Sequence, residues 1–466
     1  MKNGGTALKS NANRESVLQK NQSYATEITD LTVEGNGVCH IQGMTVFVPH
    51  TAPGDQVRVK IVKVCKQYAF GIIEEMETPA SCRIESDCPY PACGGCTFRH
   101  ISYAAELQWK EKLVQDAFHR IGKLHPEFLP IVGGKQRSHY RNKAQYPVAV
   151  GADGKPVCGF YAKRSHRVIP VRDCQLQPVL FQQVLDVILQ YVAEKSISQE
   201  ETGTGILRHI YLRQGWHTGE LMVCLVVRKP IERQLKGLIE RLTTAFPQVK
   251  SIVMNCNPAR TNVILGEKNV LLWGSETITD ILCGNRISLS PHAFYQVNTE
   301  QAERLYGIAK EFAALQGTER LLDLYCGAGT IGLSMADAVV SVLGVEIVPQ
   351  AVENAKENAR QSGISNAEFL CGDAGTVAQK LEQEQLQPDV IVVDPPRKGC
   401  DQNALDAMAK MQPERIVMIS CHPATAARDC AVLQEMGYVV QKVQPVDLFP
   451  GTGHVECVVL MSRKQG

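Results

Sequence analysis

The second half of the chain alternates short apolar runs with amphipathic segments, and this alternation limits the possible folds more than any other feature. The apolar runs predict strands at Arg320–Leu324, Ser341–Glu346, Glu368–Leu370, Val390–Asp394, Ile416–Ser420 and Val439–Val446. Helices are predicted between them, as at Gln350–Ser362 and Ala424–Glu435, and Val455–Ser462 predicts a last, antiparallel strand. Buried strands that alternate with helices form a mainly parallel sheet covered on both faces. We therefore predict a doubly wound, Rossmann-like α/β domain over residues 286–466.

The N-terminal region has shorter strands separated by turn signals. Residues 1–22 are polar and predict a disordered tail. Residues 23–80 predict five strands, at Thr26–Thr32, Gly37–Ile41, Thr45–Val48, Gln56–Lys63 and Phe70–Met76. Short strands at this spacing are typical of a small barrel of the oligonucleotide-binding (OB) type. Its basic residues form either a nucleic-acid contact or a solvated strand face, and they are Arg58, Lys60, Lys63 and Lys66.

The central region, residues 81–285, predicts an α+β domain. Its helices are predicted near Tyr103–Arg120, Pro178–Glu194 and Ile231–Thr244. Between Lys135 and Arg172 there are nine basic residues, one acid and several interleaved aromatics. Because basic residues contact phosphates and aromatics stack on bases, this stretch predicts RNA or DNA contact, with an ordinary surface ribbon as the alternative.

Composition narrows the class of protein. The 466 residues carry a net charge of only +1 and are 44% hydrophobic, which excludes a long disordered charged chain. The sequence has no run of 18 apolar residues and no signal-peptide core, so we expect no membrane association. The 17 cysteines are spread along a long chain, which favours reduced thiols in a cytoplasmic protein over a disulfide scaffold.

A glycine loop follows the first strand of the C-terminal domain. The segment Asp323-Leu-Tyr-Cys-Gly327-Ala-Gly329 would let a ligand approach the backbone at an electropositive helix N-terminus. Glu346, at the end of the next strand, is placed to accept hydrogen bonds from ribose hydroxyls. We expect the loop to lack the full Gly-x-Gly-x-x-Gly pattern that a nicotinamide dehydrogenase would prefer. Asp-x-x-x-Gly-x-Gly with this acid resembles S-adenosylmethionine methyltransferases instead. A plain strand–helix turn is the alternative.

Asp394 ends the fourth strand and begins the segment Asp394-Pro-Pro-Arg397. The carboxyl ends of the strands face the ligand crevice in an open α/β sheet, and two prolines make the turn stiff. Enzymes that methylate amines have a related motif with an aromatic after the prolines. Arg397 stands there instead, which argues against an amine target.

Cys421 follows the next strand and should lie at the same edge, beside a helix N-terminus that would favour its thiolate. A thiolate can add to C6 of a pyrimidine and make C5 a carbon nucleophile. A base must later remove the C5 proton, and Glu456, at the start of the last strand, is the candidate. The alternatives are an inert buried thiol and a surface carboxylate.

Three cysteines, Cys88, Cys93 and Cys96, lie close together in the central region. Thiolates at this density bind zinc or an iron–sulfur cluster, and the spacing alone does not choose between them. Cys174 is the best candidate for a fourth ligand, and Cys82 is its rival.

Together these motifs resemble the RNA uracil-C5 methyltransferase family, specifically its 23S ribosomal RNA branch. The resemblance covers nearly the whole chain. It rests on a barrel resembling a TRAM domain and on Cys-Gly-Gly-Cys, Tyr140-Arg-Asn-Lys, Gly205-Ile-Leu-Arg-His, Phe294-Tyr-Gln296-Val-Asn298, Asp-Pro-Pro-Arg, Ser-Cys-x-Pro and His-Val-Glu.

The resemblance implies methyl transfer from S-adenosylmethionine to C5 of a uridine, with Cys421 as nucleophile and Glu456 as proton acceptor. The cofactor or the target base would be bound by Gln296, Tyr325, Glu346 and Asp394. A [4Fe–4S] cluster would be held by Cys88, Cys93, Cys96 and Cys174. We expect large-subunit ribosomal RNA as substrate and a monomeric, cytoplasmic enzyme.

Two positions depart from the family pattern. Four residues rather than five separate Cys88 from Cys93, and His422 replaces the more usual Asn after the nucleophile. The nearest rival function is a transfer-RNA uridine C5 methyltransferase. A non-catalytic iron–sulfur protein that binds RNA is a rival of a different class.

Overall fold

The computed structural model describes residues 18–200 and 204–464. They form two compact units. The described residues up to Ser86, with Thr97–Ala105, form the first, and Asp87–Cys96 with the residues from Glu106 onward form the second. Most of the predicted N-terminal tail, residues 1–17, lies outside the described residues.

The first unit is built on a six-stranded sheet. Its strands are β1 (Ser23–Glu27), β2 (Asp30–Leu31), β3 (Asn36–Ile41), β4 (Met44–Pro49), β5 (Gln56–Val64) and β6 (Tyr68–Thr78). They pair in the order β1-β5-β6-β4-β3-β2. Alternate residues of β5 fill the core, since Val57, Val59 and Ile61 are fully buried. The single strand predicted at Thr26–Thr32 is divided in two, because Ile28 bonds to the loop before β5 instead.

A helix and a short strand come next in the chain. Helix α1 (Tyr103–Ala117) ends in a π-helical turn, Phe118–Gly122, before β7 (Glu127–Phe128). Val114 and Phe118 are fully buried in the apolar core of the C-terminal sheet. This segment therefore packs with the C-terminal sheet, although we assign it from the sequence to the central region.

The central sheet has seven strands and two helices. The strands are β8 (Lys143–Val150), β9 (Pro156–Tyr161), β10 (Val168–Pro170), β11 (Leu207–Gln214), β12 (Leu221–Val227), β13 (Val249–Cys256) and β14 (Lys268–Gly274). The helices are α2 (Val179–Glu194) and α3 (Glu232–Ala245). The strand order is β10-β9-β8-β11-β12-β13-β14, and only β12 and β13 pair in parallel. This arrangement is the predicted α+β architecture.

The C-terminal part begins with a hairpin, β15 (Ile278–Leu282) and β16 (Asn285–Leu289). Its further strands are β17 (Arg320–Leu324), β18 (Ser341–Glu346), β19 (Ala367–Cys371), β20 (Val390–Val393), β21 (Arg415–Ser420), β22 (Tyr438–Val446) and β23 (Glu456–Arg463). Its helices are α4 (Thr299–Ala313), α5 (Thr330–Met335), α6 (Pro349–Gln361), α7 (Ala374–Gln383), α8 (Gln402–Lys410) and α9 (Pro423–Glu435).

These strands form an eight-stranded sheet in the order β19-β18-β17-β20-β21-β23-β22-β7. The strands from β19 to β21 are parallel, and β23 is antiparallel to both of its neighbours. The predicted doubly wound sheet and its antiparallel last strand are confirmed. The chain winds outward from β17 to β19 and returns to the other side at β20. That reversal is where ligands bind in open α/β sheets.

None of the helices in residues 18–200 and 204–464 has the length and apolar character that a membrane crossing requires.

Candidate active site

Five chemically active side chains lie at one edge of the C-terminal sheet. The parallel strands β17, β18, β19 and β20 carry an acid at or just beyond their carboxyl ends, and Cys421 directly follows β21. The acids are Asp323, Glu346, Asp373 and Asp394. Because parallel strands end at the same edge, the sheet brings these groups together from segments far apart in sequence. Asp373 was not among the predicted residues, although its position after a strand was visible in the sequence.

Two acids fix the glycine loop and its surroundings by accepting hydrogen bonds from backbone N–H groups. The Gly327 N–H donates to Glu346 Oε2 at 3.1 Å, and the Val348 N–H donates to Oε1 of the same carboxylate at 2.8 Å. Gly332 N–H donates to Asp323 Oδ2 at 2.8 Å. Gly327 and Gly329 have φ of +55° and +77°, which non-glycine residues rarely adopt.

The expectation that the loop lacks a full Gly-x-Gly-x-x-Gly pattern is wrong, because Gly332 completes that spacing with Gly327 and Gly329. A Cβ at this position would lie 2.9 Å from Asp323 Oδ2, so glycine is needed for helix α5 to pack closely on β17. Since nicotinamide-binding loops have the same glycine spacing, the glycines alone do not distinguish the two cofactor classes.

Tyr325 stands in the glycine loop in a left-handed conformation, with φ of +63°. A bulky residue in this region stores strain, which is common at ligand sites. The half-buried side chain interacts electrostatically with Cys400, Asp401 and Asp373. Tyr325 therefore lies near the N-termini of α7 and α8, since Asp373 and Asp401 cap these two helices.

Strand pairing places Glu456 beside Cys421. In the antiparallel pairing of β21 with β23, Ser420 is opposite Cys457. The residue after Ser420 and the residue before Cys457 are therefore neighbours at the same edge. Glu456 is only 4% exposed, and Cys421 is partly buried.

The two groups influence each other's ionisation. Burial raises the pKa of the Cys421 thiol, and the Glu456 and Asp394 carboxylates raise it further. Burial, with Asp394 nearby, raises the pKa of Glu456 to about 8, and burial raises that of Asp394 to about 7. These two causes oppose the effect that we expect from the N-terminus of α9, so the predicted stabilisation of the thiolate by that helix stays a prediction.

Arg397 supplies the positive charge of the site. Its charge lowers the pKa of both Cys421 and Glu456. Its Nη2 also lies 3.2 Å from His454 Nδ1. From the sequence we used this residue only to argue against an amine target. Its position in Asp-Pro-Pro-Arg was the available signal for a direct role.

His422 caps the helix that follows the nucleophile. Its Nδ1 accepts a hydrogen bond from the Thr425 N–H at 3.3 Å, at the N-terminus of α9. The side-chain oxygen of asparagine makes the same type of contact at helix N-termini. The departure from the family pattern therefore preserves the cap.

Gln296 lies between β16 and α4 and is half-buried. Its backbone carbonyl accepts a hydrogen bond from Asn142 Nδ2 at 2.8 Å. The segment that bears this predicted ligand is thus fixed by the central sheet.

The predicted metal-binding cysteines come from two segments joined through β9 and β10. Gly94 N–H donates to the carbonyl of Tyr161, and the hydroxyl of Tyr90 accepts from the Arg172 N–H. The thiol of Cys174 consequently interacts electrostatically with those of Cys96 and Cys93, and Cys93 interacts with Cys88. Even so, in the part of the chain that the structure describes, no three His, Cys, Asp or Glu side chains are arranged to hold a metal ion.

Two protein families match the chain. The family described as tRNA (Uracil-5-)-methyltransferase matches residues 102–464. The TRAM domain matches residues 19–73, which confirms the predicted N-terminal domain.

Relatives of the same kind extend over the full chain. RNA methyltransferases of Halalkalibacterium halodurans and Bacillus cereus, both named as uncharacterized, are each 44% identical to it. The first covers 97% of this chain and 99% of its own length, and the second covers 96% and 98%.

A solved structure shares the architecture. It is the Pyrococcus abyssi tRNA (uracil-54, C5)-methyltransferase in complex with S-adenosyl-L-homocysteine, which is 25% identical with a TM-score of 0.75. The match covers 94% of this chain and 100% of that one. S-Adenosylhomocysteine is what remains of S-adenosylmethionine after methyl transfer. The chain therefore belongs to the tRNA (uracil-5-)-methyltransferase family of S-adenosylmethionine-dependent RNA methyltransferases.

Proposed function

We propose that the protein methylates C5 of a specific uridine in 23S ribosomal RNA through a covalent bond between Cys421 and C6 of the uracil. The observation that carries this proposal is the register of β21 and β23, which sets a thiol beside a buried carboxylate. Both groups lie at the sheet edge where the glycine loop opens. That arrangement fits a nucleophile and a base acting on one pyrimidine ring.

Cys421 begins the reaction by adding to C6 as a thiolate. The new S–C6 bond moves the electrons of the C5=C6 double bond towards C5 and O4, so C5 becomes nucleophilic. Arg397 favours this step, because its charge lowers the pKa of the thiol that the nearby acids raise. The target uridine must leave its stack to reach the buried thiol.

Glu456 completes the reaction by taking the proton from C5 after methyl transfer. The electron pair of the C5–H bond then restores the double bond and expels Cys421 as a thiolate. S-Adenosylmethionine supplies the methyl group on a positively charged sulfur. The cofactor would be held by Gln296, Tyr325, Glu346 and Asp394. Its cation, if bound near Asp394 and Glu456, would lower the pKa of both carboxyls and favour the ionised base.

The RNA substrate has two candidates. The barrel and the cysteine-rich segment favour ribosomal RNA through the resemblance described above. Transfer RNA is favoured by the family description and by the Pyrococcus abyssi enzyme, whose structure aligns over nearly the whole chain. We propose a cytoplasmic, monomeric enzyme in either case.

The test is to incubate the protein with unmodified 23S ribosomal RNA, unmodified transfer RNA and cofactor labelled in the methyl group. The proposal expects label at one or more defined uridines of the ribosomal RNA and none with Cys421→Ala. Label in transfer RNA alone assigns the second candidate. Label in neither RNA, with cofactor binding intact, contradicts methyl transfer to both.

We further propose that Cys88, Cys93, Cys96 and Cys174 bind a [4Fe–4S] cluster. The donors are all thiols, which suit iron–sulfur clusters, and the β9–β10 region brings both segments into one neighbourhood. Cys82 is the less suitable fourth ligand, because its thiol donates to the carbonyl of Pro53 at 3.7 Å. Binding a cluster would require these thiols to move closer together than the structure describes. We assign the cluster a structural role and no step of the reaction.

Analysis of iron, sulfide and zinc in protein purified without oxygen tests this assignment. We expect a brown protein with about four irons per chain. The Cys174→Ala variant should lose the cluster, and the Cys82→Ala variant should keep it. A colourless protein with stoichiometric zinc, or loss of iron only in Cys82→Ala, contradicts the assignment.

A further inference from the structure

A cavity of about 280 Å³ lies in the central region beside the segment that bears Gln296. Its lining residues are Gln136, His139, Asn142, Pro178, Gln214 and Trp216. This volume is at the lower end for small-molecule sites, which suits a group of nucleobase size better than a whole cofactor. None of these residues takes part in the chemistry proposed above.

Asn142 lines this cavity and has a buried amide oxygen whose hydrogen-bonding capacity is unused among the described residues. The residue is 1% exposed, and its Nδ2 donates to the Gln296 carbonyl at 2.8 Å and to Thr299 Oγ1 at 2.9 Å. These two bonds fix which side of the amide is oxygen. Oδ1 is buried and has no hydrogen-bond partner among the described residues. A buried acceptor without a partner costs free energy, so a ligand that donates to it is favoured.

His139 provides a second acceptor. Its Nδ1 lies 2.7 Å from the carbonyl of Gln177, and only a protonated nitrogen can donate to a carbonyl. In the neutral ring the hydrogen is therefore on Nδ1, and Nε2 carries the lone pair. The backbone of His139 is left-handed, with φ of +58°, so the ring is held in an uncommon conformation at the cavity wall.

Trp216 gives the cavity an aromatic surface. It lies in the turn between β11 and β12 and is half-buried. Aromatic side chains bind unpaired RNA bases by stacking. One stacking surface with two fixed acceptors is a typical arrangement for reading a single base.

We propose that this cavity binds a second RNA base, near the target uridine, that carries an exocyclic amine. The inference rests on the proposed RNA substrate. Amino groups of adenine, cytosine and guanine donate hydrogen bonds, which match the acceptors of Asn142 and His139. Uracil has no amine and offers only one ring N–H. The cavity thus selects the sequence context of the methylated uridine.

Fluorescently labelled hexamers of adenosine, purine riboside and uridine test this inference by anisotropy, without cofactor. Purine riboside stacks like adenosine but lacks the amine. We expect the adenosine hexamer to bind roughly fivefold more tightly than the purine riboside hexamer. Trp216→Leu should weaken adenosine binding by about tenfold. The matched control is Trp273→Leu, at a 39% exposed position on β14, and it should bind as the unaltered protein does.

Equal binding of the adenosine and purine riboside hexamers overturns the proposal, and so does unchanged binding by Trp216→Leu. If circular dichroism shows that Trp216→Leu does not fold, His139→Ala replaces it. That variant should lose the preference for adenosine over purine riboside, and a retained preference overturns the proposal. Since these measurements need no methyl transfer, a failed methylation assay with a normal amine preference contradicts only the proposed function.

Discussion

Cys421 and Glu456 form a pair of acids in a partly buried site where the ionised form of each is disfavoured. The pKa of both groups is raised by burial and by Asp394, while Arg397 lowers it. Burial and the neighbouring carboxylates therefore disfavour the thiolate of the proposed nucleophile.

Replacing the nucleophile should separate binding from chemistry. Cys421→Ala should reduce methyl transfer by at least about a thousandfold, since no other group can form the bond to C6. Calorimetry should show cofactor affinity close to that of the unaltered protein. Cys371→Ala, at an exposed cysteine, is the control and should remain active. Substantial turnover by Cys421→Ala would contradict covalent catalysis.

Glu456→Gln should trap the reaction after methyl transfer. Without the base, Cys421 cannot be eliminated, so a protein–RNA adduct should persist on a denaturing gel. In the unaltered enzyme burial raises the pKa of Glu456 to about 8, and the base acts only when ionised. Product release should therefore become faster as pH rises through about 8 in single-turnover measurements. Rapid release by the variant would indicate a different base.

A rise in pH should speed product release through Glu456, but through the same residue it should lower the stability of the folded protein. Because the folded-state pKa of Glu456 is above that of an unfolded glutamate, the folded protein holds more protons between about pH 4.5 and 8, and its stability falls as pH rises through that range. Glu456→Gln removes this dependence. Chemical denaturation should show it more stable than the unaltered protein by roughly 4 kcal/mol at pH 8 and unchanged at pH 4. Equal stability at both pH values would contradict the raised pKa.

At the scale of elements, the antiparallel strand β23 determines the site. A parallel strand in its place would begin at the opposite edge of the sheet and carry Glu456 away from Cys421. The turn after β21 is equally important, because it holds the proposed nucleophile between the strand and the capped start of α9.

The cap gives a prediction for this turn. His422→Ala removes the acceptor for the Thr425 N–H and should lower the free energy of unfolding by about 1 kcal/mol. His422→Asn restores an acceptor and should be close to the unaltered protein in both stability and methyl transfer. Denaturant titration compares the three proteins. Equal stability of the alanine and asparagine variants would show that the imidazole does not act as a cap.

The sequence predicted most of these elements because each is recognisable on its own. Strands β17 and β18 were predicted to the residue, since Arg320–Leu324 and Ser341–Glu346 are short apolar runs between polar turns. Pairing is different. That Ser420 faces Cys457 depends on strand order, and no local pattern contains it. The ionisation of Cys421 was missed for the same reason, because the acids that raise its pKa arrive from other strands.

At the scale of the molecule, a buried ion network joins the early and late parts of the chain. Lys110 Nζ, on α1, lies 2.8 Å from Glu106 Oε1 and 2.7 Å from Asp447 Oδ1, and all three side chains are fully buried. Gly451 N–H donates to Glu106 Oε1 at 2.7 Å. The segment from Asp447 to Gly451 leads directly into Glu456, so α1 holds the approach to the proposed base.

Breaking this network should be costly. Lys110→Met removes the cation that contacts both Glu106 and Asp447, while Arg137 remains 3.8 Å from Glu106 Oε2, and it should reduce the free energy of unfolding by about 3–5 kcal/mol. Lys112→Met is the matched control on the same helix, because Lys112 is half exposed and pairs with Asp116 at 3.0 Å. It should cost less than about 1 kcal/mol. If denaturant unfolding showed similar losses of stability in the two variants, the network would not contribute the free energy of unfolding that we assign to it.

The path of the chain between the two compact units limits how the protein can be divided. Asp87–Cys96 belongs with the second unit, whereas Thr97–Ala105 belongs with the first, so the polypeptide passes between them three times. A shortened gene that starts after residue 86 would express the second unit with an orphaned nine-residue piece of the first, and one that starts at 106 would discard three of the clustered cysteines. To exchange the first unit for another domain, both of its stretches, the one up to Ser86 and Thr97–Ala105, would have to be replaced together.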